Sequence, residues 1–189
     1  MSRKYKFRDA QGIYFVSTAV VYFIDVFTRR LYKNKVVESL AYCQKEKGLI
    51  VYGYVIMSNH LHLLIGKGIR AENEFSEIIR DFKKYTAMQI IKSISENMQE
   101  SRKEWLLWMF ERAGKKNGNN TKYQFWQQHN KPMKLETKTI EQKLDYIHKN
   151  PVEAGWVNEP HEYLYSSARN YSELESPVNI YSVYDGAFI

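Results

Sequence analysis

Two histidines one residue apart are the side chains whose type and spacing most directly suggest chemistry. His60 and His62 lie in the apolar stretch 55–65, which predicts a strand, a short turn at Ser58 and Asn59, and a second strand. Alternate side chains of a strand share a face, so both imidazoles would project from one side with Cα atoms about 6.6 Å apart. Both rings could then bind one metal ion. The alternative is a pair of half-exposed histidines that bind nothing.

The apolar residues of the second strand predict which of its faces is buried. Leu61, Leu63 and Ile65 alternate with the two histidines, so we expect them to face the core. His60 and His62 would then lie on the opposite, open face. Replacing both histidines should therefore change the stability of the fold little.

A helix in the last third of the chain carries the second group of candidates. Thr139 and Gln142 have the spacing of a capping box, which predicts that the helix starts near Ile140. Ile140, Leu144 and Ile147 would form its apolar stripe. The position of this stripe fixes the directions in which the polar side chains of the helix point.

Tyr146 and Asn150 lie four residues apart in this helix and would project from one flank, about 5–6 Å apart at Cβ. A phenol can attack a phosphodiester, and the phosphotyrosine formed conserves the bond for rejoining. The oxygen of the asparagine side chain can bind a cation. The alternatives are a tyrosine that only packs and an asparagine that caps a structure beginning at Pro151. His148 would point to the other side of the helix, as a structural residue or a DNA contact.

In this order, the two motifs resemble those of the single-tyrosine HUH transposases, specifically the REP-associated tyrosine transposase branch, which is IS200-like. His60-Leu61-His62 is similar to the His-hydrophobe-His signature, and the stretch 145–152 to the tyrosine helix. Further similar stretches are 125–128, 154–157 and 165–168. The similarity spans residues 10–171 and both signatures occur in the family's order.

The resemblance implies a metal-dependent transposase that acts in DNA transposition and recombination as a single-strand DNA endonuclease and strand transferase. Tyr146 would attack the scissile phosphate and give a 5′-phosphotyrosine intermediate with a free 3′-hydroxyl. His60, His62 and Asn150 would bind Mg²⁺ or Mn²⁺. Ligand chemistry alone would equally allow Zn²⁺, since imidazoles do not favour hard ions.

The order strand, helix, strand, strand, helix, strand describes an α+β fold. The resemblance implies a ferredoxin-like or RRM-like antiparallel sheet with helices packed on it, the HUH nuclease fold. We expect one domain over residues 1–189, with an irregular tail from about residue 158. The expected strands are 13–24, 49–57, 60–65 and an edge strand within 123–135; the other expected helices are 31–47, 75 into the 90s and 104–112; and the expected loop is 114–120.

The charge of the chain suggests a polyanionic partner, here single-stranded or hairpin DNA bound by a monomer or a homodimer. Lys and Arg number 28 against 21 Asp and Glu, a net charge of +7. The alternatives are a solvated helix face for the residues near 80 and a core position for Trp126. The candidate DNA contacts are Arg80, Lys83, Lys84, Trp126, Lys131, Lys134 and Lys138.

Cysteine content and hydrophobicity limit the class of protein. The single cysteine, Cys43, excludes an internal disulfide framework and is typical of the cytoplasm. The apolar segment 13–24 is too short to span a bilayer, and its β-branched and aromatic residues favour a buried strand. We therefore expect a cytoplasmic protein that does not bind membranes.

Two other functions are compatible with the same residues. One is a domesticated DNA-binding relative with little catalysis. The other is an RNA- or DNA-binding module that binds through aromatic residues on its sheet while the histidines stay idle. Divalent-metal dependence would distinguish the enzyme from both.

Overall fold

The computed structural model describes residues 7–118, 122–128 and 132–184. Its centre is a four-stranded sheet with the order β2-β3-β1-β4, in which every pair of neighbours is antiparallel. The strands are β1 (Tyr14–Ala19), β2 (Leu49–Ile56), β3 (His60–Lys67) and β4 (Met133–Lys134). The helices are α1 (Arg30–Lys47), α2 (Phe75–Glu96), α3 (Lys103–Lys115), α4 (Thr137–Glu153) and α5 (Ala168–Tyr171). The predicted ferredoxin-like α+β fold is confirmed.

Helices cover both faces of the sheet. Leu61, Leu63 and Ile65 of β3 face the larger core, which contains buried residues of α1 and α2, as alternation predicts. On the other face, Phe15 and Leu64 pack in a second apolar cluster with residues of α4. The face of the histidines is therefore covered and not open.

Helix α4 rests on the sheet at a glycine. A Cβ atom on Gly53 of β2 would lie 2.8 Å from Cδ1 of Leu144. Such a contact is too short without movement of one of the two groups. The absence of a side chain at this position therefore lets α4 approach β2 closely.

The ends of α4 differ from the prediction. The helix begins at Thr137, with Glu136 as its N-cap residue. Thr139 lies inside the first turn, where its hydroxyl donates to the Glu136 carbonyl at 2.8 Å, so the predicted capping box is wrong. At the other end the helix continues through Pro151 to Glu153, so Asn150 caps no second helix.

Strand β1 is shorter than the apolar stretch 13–24 suggested. It ends at Ala19, and a tight turn with positive φ at Tyr22 and Phe23 follows at Val21–Phe23. Val21 and Ile24 remain buried in this turn. The predicted strand was too long because the residues of a buried turn are as apolar as those of a buried strand.

Gly114 lies within α3, although the sequence predicted a loop from this residue. A Cβ atom here would overlap the carbonyl oxygen of Lys122. The glycine therefore serves the close approach of two backbone segments. Residues 119–120 of the predicted loop lie outside the described residues.

The edge strand and the tail also differ in extent from the prediction. Among the described residues of 123–135, only β4 pairs as a strand, while Trp126 forms an isolated bridge with Val20. The tail, expected to be irregular, contains α5, and the amide of Ser167 donates to the Tyr54 carbonyl at 2.9 Å. No helix in the described ranges is long and apolar enough to cross a membrane.

Candidate active site

The predicted nucleophile and the histidine pair meet where α4 crosses the start of β3. The hydroxyl of Tyr146 lies 3.4 Å from Nε2 of His62, and the two ring centroids are 5.1 Å apart. The rings of His60 and His62 are 4.7 Å apart. These three side chains come together within one chain.

Asn150 completes the group on the same flank of α4. Its Nδ2 donates to the Tyr146 carbonyl at 2.8 Å, so the side-chain oxygen is the atom of Asn150 that could bind a cation. Burial lowers the pKa of His60, and a hydrogen bond with Asn150 partly opposes this effect. The structure thus brings together all four residues that the sequence suggested.

The imidazole of His60 is oriented by its neighbour in the turn. Its Nδ1 lies 2.7 Å from the side-chain oxygen of Asn59, which can only accept a hydrogen bond. Asn59 is itself held, because its Nδ2 donates to the Phe23 carbonyl at 3.2 Å and to the Asp25 carboxylate at 3.0 Å. Nδ1 of His60 therefore carries the proton, and the lone pair of Nε2 is available to a ligand.

His62 is buried, with 6% of its surface exposed. It stacks on Phe15 with centroids 5.3 Å apart, and Tyr146 covers another side. The expectation of an open face is wrong here, because α4 and Phe15 close it. Its replacement by alanine is therefore expected to destabilise the fold by about 1–3 kcal/mol.

The donor atoms suit a divalent metal ion. Burial, together with the charges of His60 and Lys143, lowers the pKa of His62 to about 3, so this imidazole is neutral and its lone pair is available at neutral pH. Its buried Nδ1 has no hydrogen-bond partner among the described residues. His60, His62 and the oxygen of Asn150 are donor groups of the kind that divalent ions accept. Without the asparagine the set is too small, since no three His, Cys, Asp or Glu side chains in the described ranges form a group that could hold an ion.

Lys143 is a residue of the site that the sequence analysis missed. Its Nζ lies 5.0 Å from the ring centroid of Phe15 and 5.5 Å from that of Tyr146. No carboxylate within the described ranges pairs with it. The sequence could have indicated this residue, because it lies three positions before Tyr146 and therefore on the same flank of the helix.

His148 lies away from the site, as its helical position predicted. Its Nε2 is 2.9 Å from the hydroxyl of Ser167, and its ring is 5.3 Å from that of Tyr171. Burial lowers its pKa to about 4. These contacts attach α4 to the tail and favour the structural role.

The candidate DNA contacts fall into two groups that the structure does not bring together. Arg80, Lys83 and Lys84 line one cleft of about 950 Å³ beside α2, where Lys83 donates to the Gln127 carbonyl at 2.8 Å. Near α4, the exposed Lys134 pairs with Asp9 at 2.6 Å. Lys138 is exposed in the first turn of α4.

The remaining candidate DNA contacts are Trp126 and Lys131. Trp126 is a core residue, since it packs against Phe27 and Phe125 and its Nε1 donates to the Thr86 hydroxyl at 3.0 Å. The structure therefore supports the core alternative for this residue, of whose surface only 5% is exposed. Lys131 lies outside the described residues.

Comparison with known proteins places the chain in a family. A family model described as IS200-like transposase matches residues 13–109. No curated protein sequence matches the chain. Among solved structures, a REP-associated tyrosine transposase bound to a REP hairpin is similar over 99% of this chain and 96% of its own, with 16% identity and a TM-score of 0.59. A chain from Deinococcus radiodurans R1 that carries a transposase designation is similar over 78% of this chain and 94% of its own, with 16% identity and a TM-score of 0.45.

The two kinds of match support different statements. At 16% identity, the likeness to the REP-associated transposase shows the fold alone. The family match covers just over half of the chain and includes His60 and His62, although it ends before Tyr146. The chain belongs to the IS200-like transposase family.

Proposed function

We propose that this transposase cuts and rejoins single-stranded DNA through a covalent bond to Tyr146. The observation that supports this most strongly is the 3.4 Å contact between the Tyr146 hydroxyl and Nε2 of His62. Tyr146 is also 41% exposed, so a phosphate from solution can reach its phenol. A candidate nucleophile thus lies beside a candidate metal site and remains accessible.

The proposed reaction is a transesterification at phosphorus. The phenolic oxygen of Tyr146 forms a bond to phosphorus, and the bond from phosphorus to the 3′ oxygen breaks. The phenolic proton passes to water, and the departing 3′ oxygen takes up a proton from solvent. The 5′-phosphotyrosine formed keeps a phosphodiester linkage, which a 3′-hydroxyl can attack to rejoin the strand.

His60, His62 and Asn150 would hold Mg²⁺ or Mn²⁺. The ion would polarise a non-bridging phosphate oxygen as a Lewis acid. Replacement of Asn150 by alanine is expected to weaken Mn²⁺ binding by about tenfold or more. A titration followed by the paramagnetic resonance of free Mn²⁺ measures this without DNA. Asn73→Ala, near the opposite end of β3, is the control, and an unchanged affinity for Asn150→Ala would remove Asn150 from the ligand set.

The proposed substrate is single-stranded DNA with a hairpin beside the cleavage site. The net charge of +7 and the basic cleft beside α2 favour a polyanion. The similar REP-associated transposase structure holds a REP hairpin, and we carry this substrate class over to the present chain. The net charge and the basic cleft do not define the nucleotide sequence of this DNA, because contacts to phosphates carry no sequence information.

The function is tested by incubating the protein with such DNA and Mg²⁺ or Mn²⁺, followed by a denaturing gel. We expect a covalent protein–DNA band that chelation of the metal abolishes. Tyr146→Phe should lose the band while binding and folding persist, because only the hydroxyl is removed. Tyr181→Phe, at an exposed tail tyrosine, should retain the band. A band that persists with Tyr146→Phe would assign the nucleophile to another residue.

A DNA-binding protein with little catalysis is the second candidate function. The packing of His62 between Phe15 and Tyr146 favours it, since a purely structural histidine would show the same contacts. Binding of the hairpin DNA that is independent of divalent metal, without a covalent product, would support this candidate.

A further inference from the structure

Two adjacent aromatic residues between β1 and α1 have an uncommon backbone conformation. Tyr22 has φ of 57° and Phe23 has φ of 53°. Bulky residues adopt this left-handed conformation rarely and at an energetic cost. Nevertheless their side chains are 45% and 62% exposed, so burial of the rings does not compensate for the strain. The fold thus presents two apolar rings to solvent.

This loop is attached to the turn that precedes His60. The amide of Val20 donates to the Asn59 carbonyl at 2.8 Å, and the side chain of Asn59 donates to the Phe23 carbonyl at 3.2 Å. The same side chain accepts the hydrogen bond from His60. One asparagine therefore links the exposed rings to a candidate metal ligand.

A continuous pair of clefts leads from the two rings to the basic face of α2. Tyr22 and Phe23 line a cleft of about 510 Å³, and the larger cleft of about 950 Å³ lies beyond it. Four side-chain amides line both clefts and join them: Asn117, Gln124, Gln127 and Gln128. Amides of this kind can donate to phosphate oxygens, and they can both donate to and accept from the edges of bases.

The larger cleft is lined by positive and not by negative charge. No Asp or Glu side chain among the described residues lines either cleft. Carboxylates just outside pair with Arg80 at 3.2 Å and with Lys92 at 3.9 Å, and such exposed pairs are weak. The cations that line the larger cleft are Arg80, Lys83, Lys84, Lys92 and Lys122.

We propose that the single DNA strand that continues from the scissile phosphate follows these clefts, with bases stacked on Tyr22 and Phe23 and phosphates bound beside α2. This inference rests on the proposed function. Exposed aromatic faces followed by a basic groove are what binding of single strands requires, because stacking needs unpaired bases. A duplex would not offer base faces to the two rings.

The test uses two DNAs with the same hairpin and cleavage site, one with a short and one with a long single-stranded flank. The flank is extended on either side in separate oligonucleotides, and each contains 2-aminopurine as a stacking probe. Binding is measured with Tyr146→Phe, so that covalent capture does not contribute. We expect the long flank on one side to bind more tightly than the short one and to show quenched fluorescence.

The matched variant replaces Tyr22 and Phe23 by asparagine, which tolerates the left-handed conformation. It should lose about tenfold in affinity for the long flank, together with the quenching. Its affinity for the short flank should be unchanged. The control replaces the exposed Tyr42 and Tyr181 by alanine and should retain the gain. Lys84→Glu with Lys92→Glu should lower the salt dependence for the long flank only, whereas Lys45→Glu on α1 should not.

Three results would overturn the inference: equal affinity for both flanks, a gain that survives loss of both rings, or a gain that follows lengthening of the hairpin stem instead of the single strand. Failure of the proposed function would look different. In that case, the protein with Tyr146 intact would form no covalent band even with the short DNA, whatever the binding of the flank.

Discussion

Lys143 places a positive charge close to the candidate nucleophile, with its Nζ 5.5 Å from the ring centroid of Tyr146. The Tyr146 ring lies close to the rings of His62 and Phe15 and to the ammonium group of Lys143. Because the pKa of His62 is lowered to about 3, this imidazole contributes no charge at neutral pH. An ammonium group in this position would stabilise negative charge that develops on a phosphate during attack.

Lys143→Met should therefore slow formation of the covalent complex by about tenfold, which corresponds to about 1.4 kcal/mol. Methionine keeps an unbranched apolar side chain over Phe15 and removes only the charge. Single-turnover rates at saturating DNA measure the effect, and Lys143→Arg should restore most of the rate. Lys149→Met is the matched control, since Lys149 on the same helix pairs with Asp145 at 3.7 Å. Equal rates for the two methionine variants would exclude this role.

The sequence predicts those residues of the site whose side chains are brought together by local spacing. His60 with His62 and Tyr146 with Asn150 follow from the periods of a strand and a helix. Phe15 could not be found this way, because its place beside His62 results from the pairing of β1 with β3. The link from Asn59 to Phe23 likewise spans 36 residues. Contacts between distant segments need the tertiary structure.

At the scale of elements, the site depends on how closely α4 approaches the sheet. The helix contributes Tyr146 and Asn150, whereas β3 contributes the two histidines. Gly53 permits this approach. A small displacement of the helix would therefore separate the two halves of the site without unfolding either element.

Gly53→Val should slow formation of the covalent complex while the protein remains folded, because it moves α4 without unfolding it. The larger side chain must displace Leu144, and overpacking of this kind costs about 1–3 kcal/mol. Thermal unfolding and single-turnover rates are compared for the same preparation. Gly118→Ala is the control, because a Cβ there meets no heavy atom within 4 Å. A rate that is unchanged while the stability falls would show that the position of α4 does not limit the reaction.

Helix ends were predicted correctly where a clear capping residue marks them, and incorrectly where no such residue is present. Helix α1 ends at Gly48, which has φ of 68°, as a glycine C-cap predicts. The start of α4 was misplaced because Thr139 and Gln142 imitate a cap within the first turn. Gly114 was predicted to start a loop, but the structure requires a glycine here because the backbone of Lys122 packs against it. The local sequence pattern does not reveal this contact.

At the scale of the whole molecule, a buried carboxylate connects three helices. The side chain of Glu100 is fully buried and pairs with Arg29 at 2.8 Å and Arg102 at 3.3 Å. It also accepts a hydrogen bond from Tyr32 of α1. Burial raises the pKa of Glu100, but hydrogen bonds from Arg102, Arg29 and Tyr32 outweigh this effect and hold the pKa below its usual value. The connection between α2 and α3 is thereby fixed to α1.

Glu100→Gln should lower the free energy of unfolding at pH 7 by about 1–3 kcal/mol. Because the pKa is lower in the folded state, the unfolded state binds more protons at acidic pH, and the contribution disappears as the pH falls below 4.5. Urea unfolding at several pH values should show the difference from the unmodified protein shrinking in this range. Glu72→Gln, at an exposed position, should show no such pattern. A difference independent of pH would contradict an ionised Glu100.

Peptide mapping of the covalent complex identifies the residue that forms the bond to DNA, which we propose is Tyr146. The complex is formed with hairpin DNA and Mn²⁺, digested with nuclease and trypsin, and analysed by mass spectrometry. We predict that the nucleotide remnant is attached to the phenolic oxygen of Tyr146 through a 5′ phosphate. A remnant on another residue would assign the nucleophile elsewhere, and cleaved DNA with a 5′ phosphate and no attached peptide at any time would exclude a covalent intermediate.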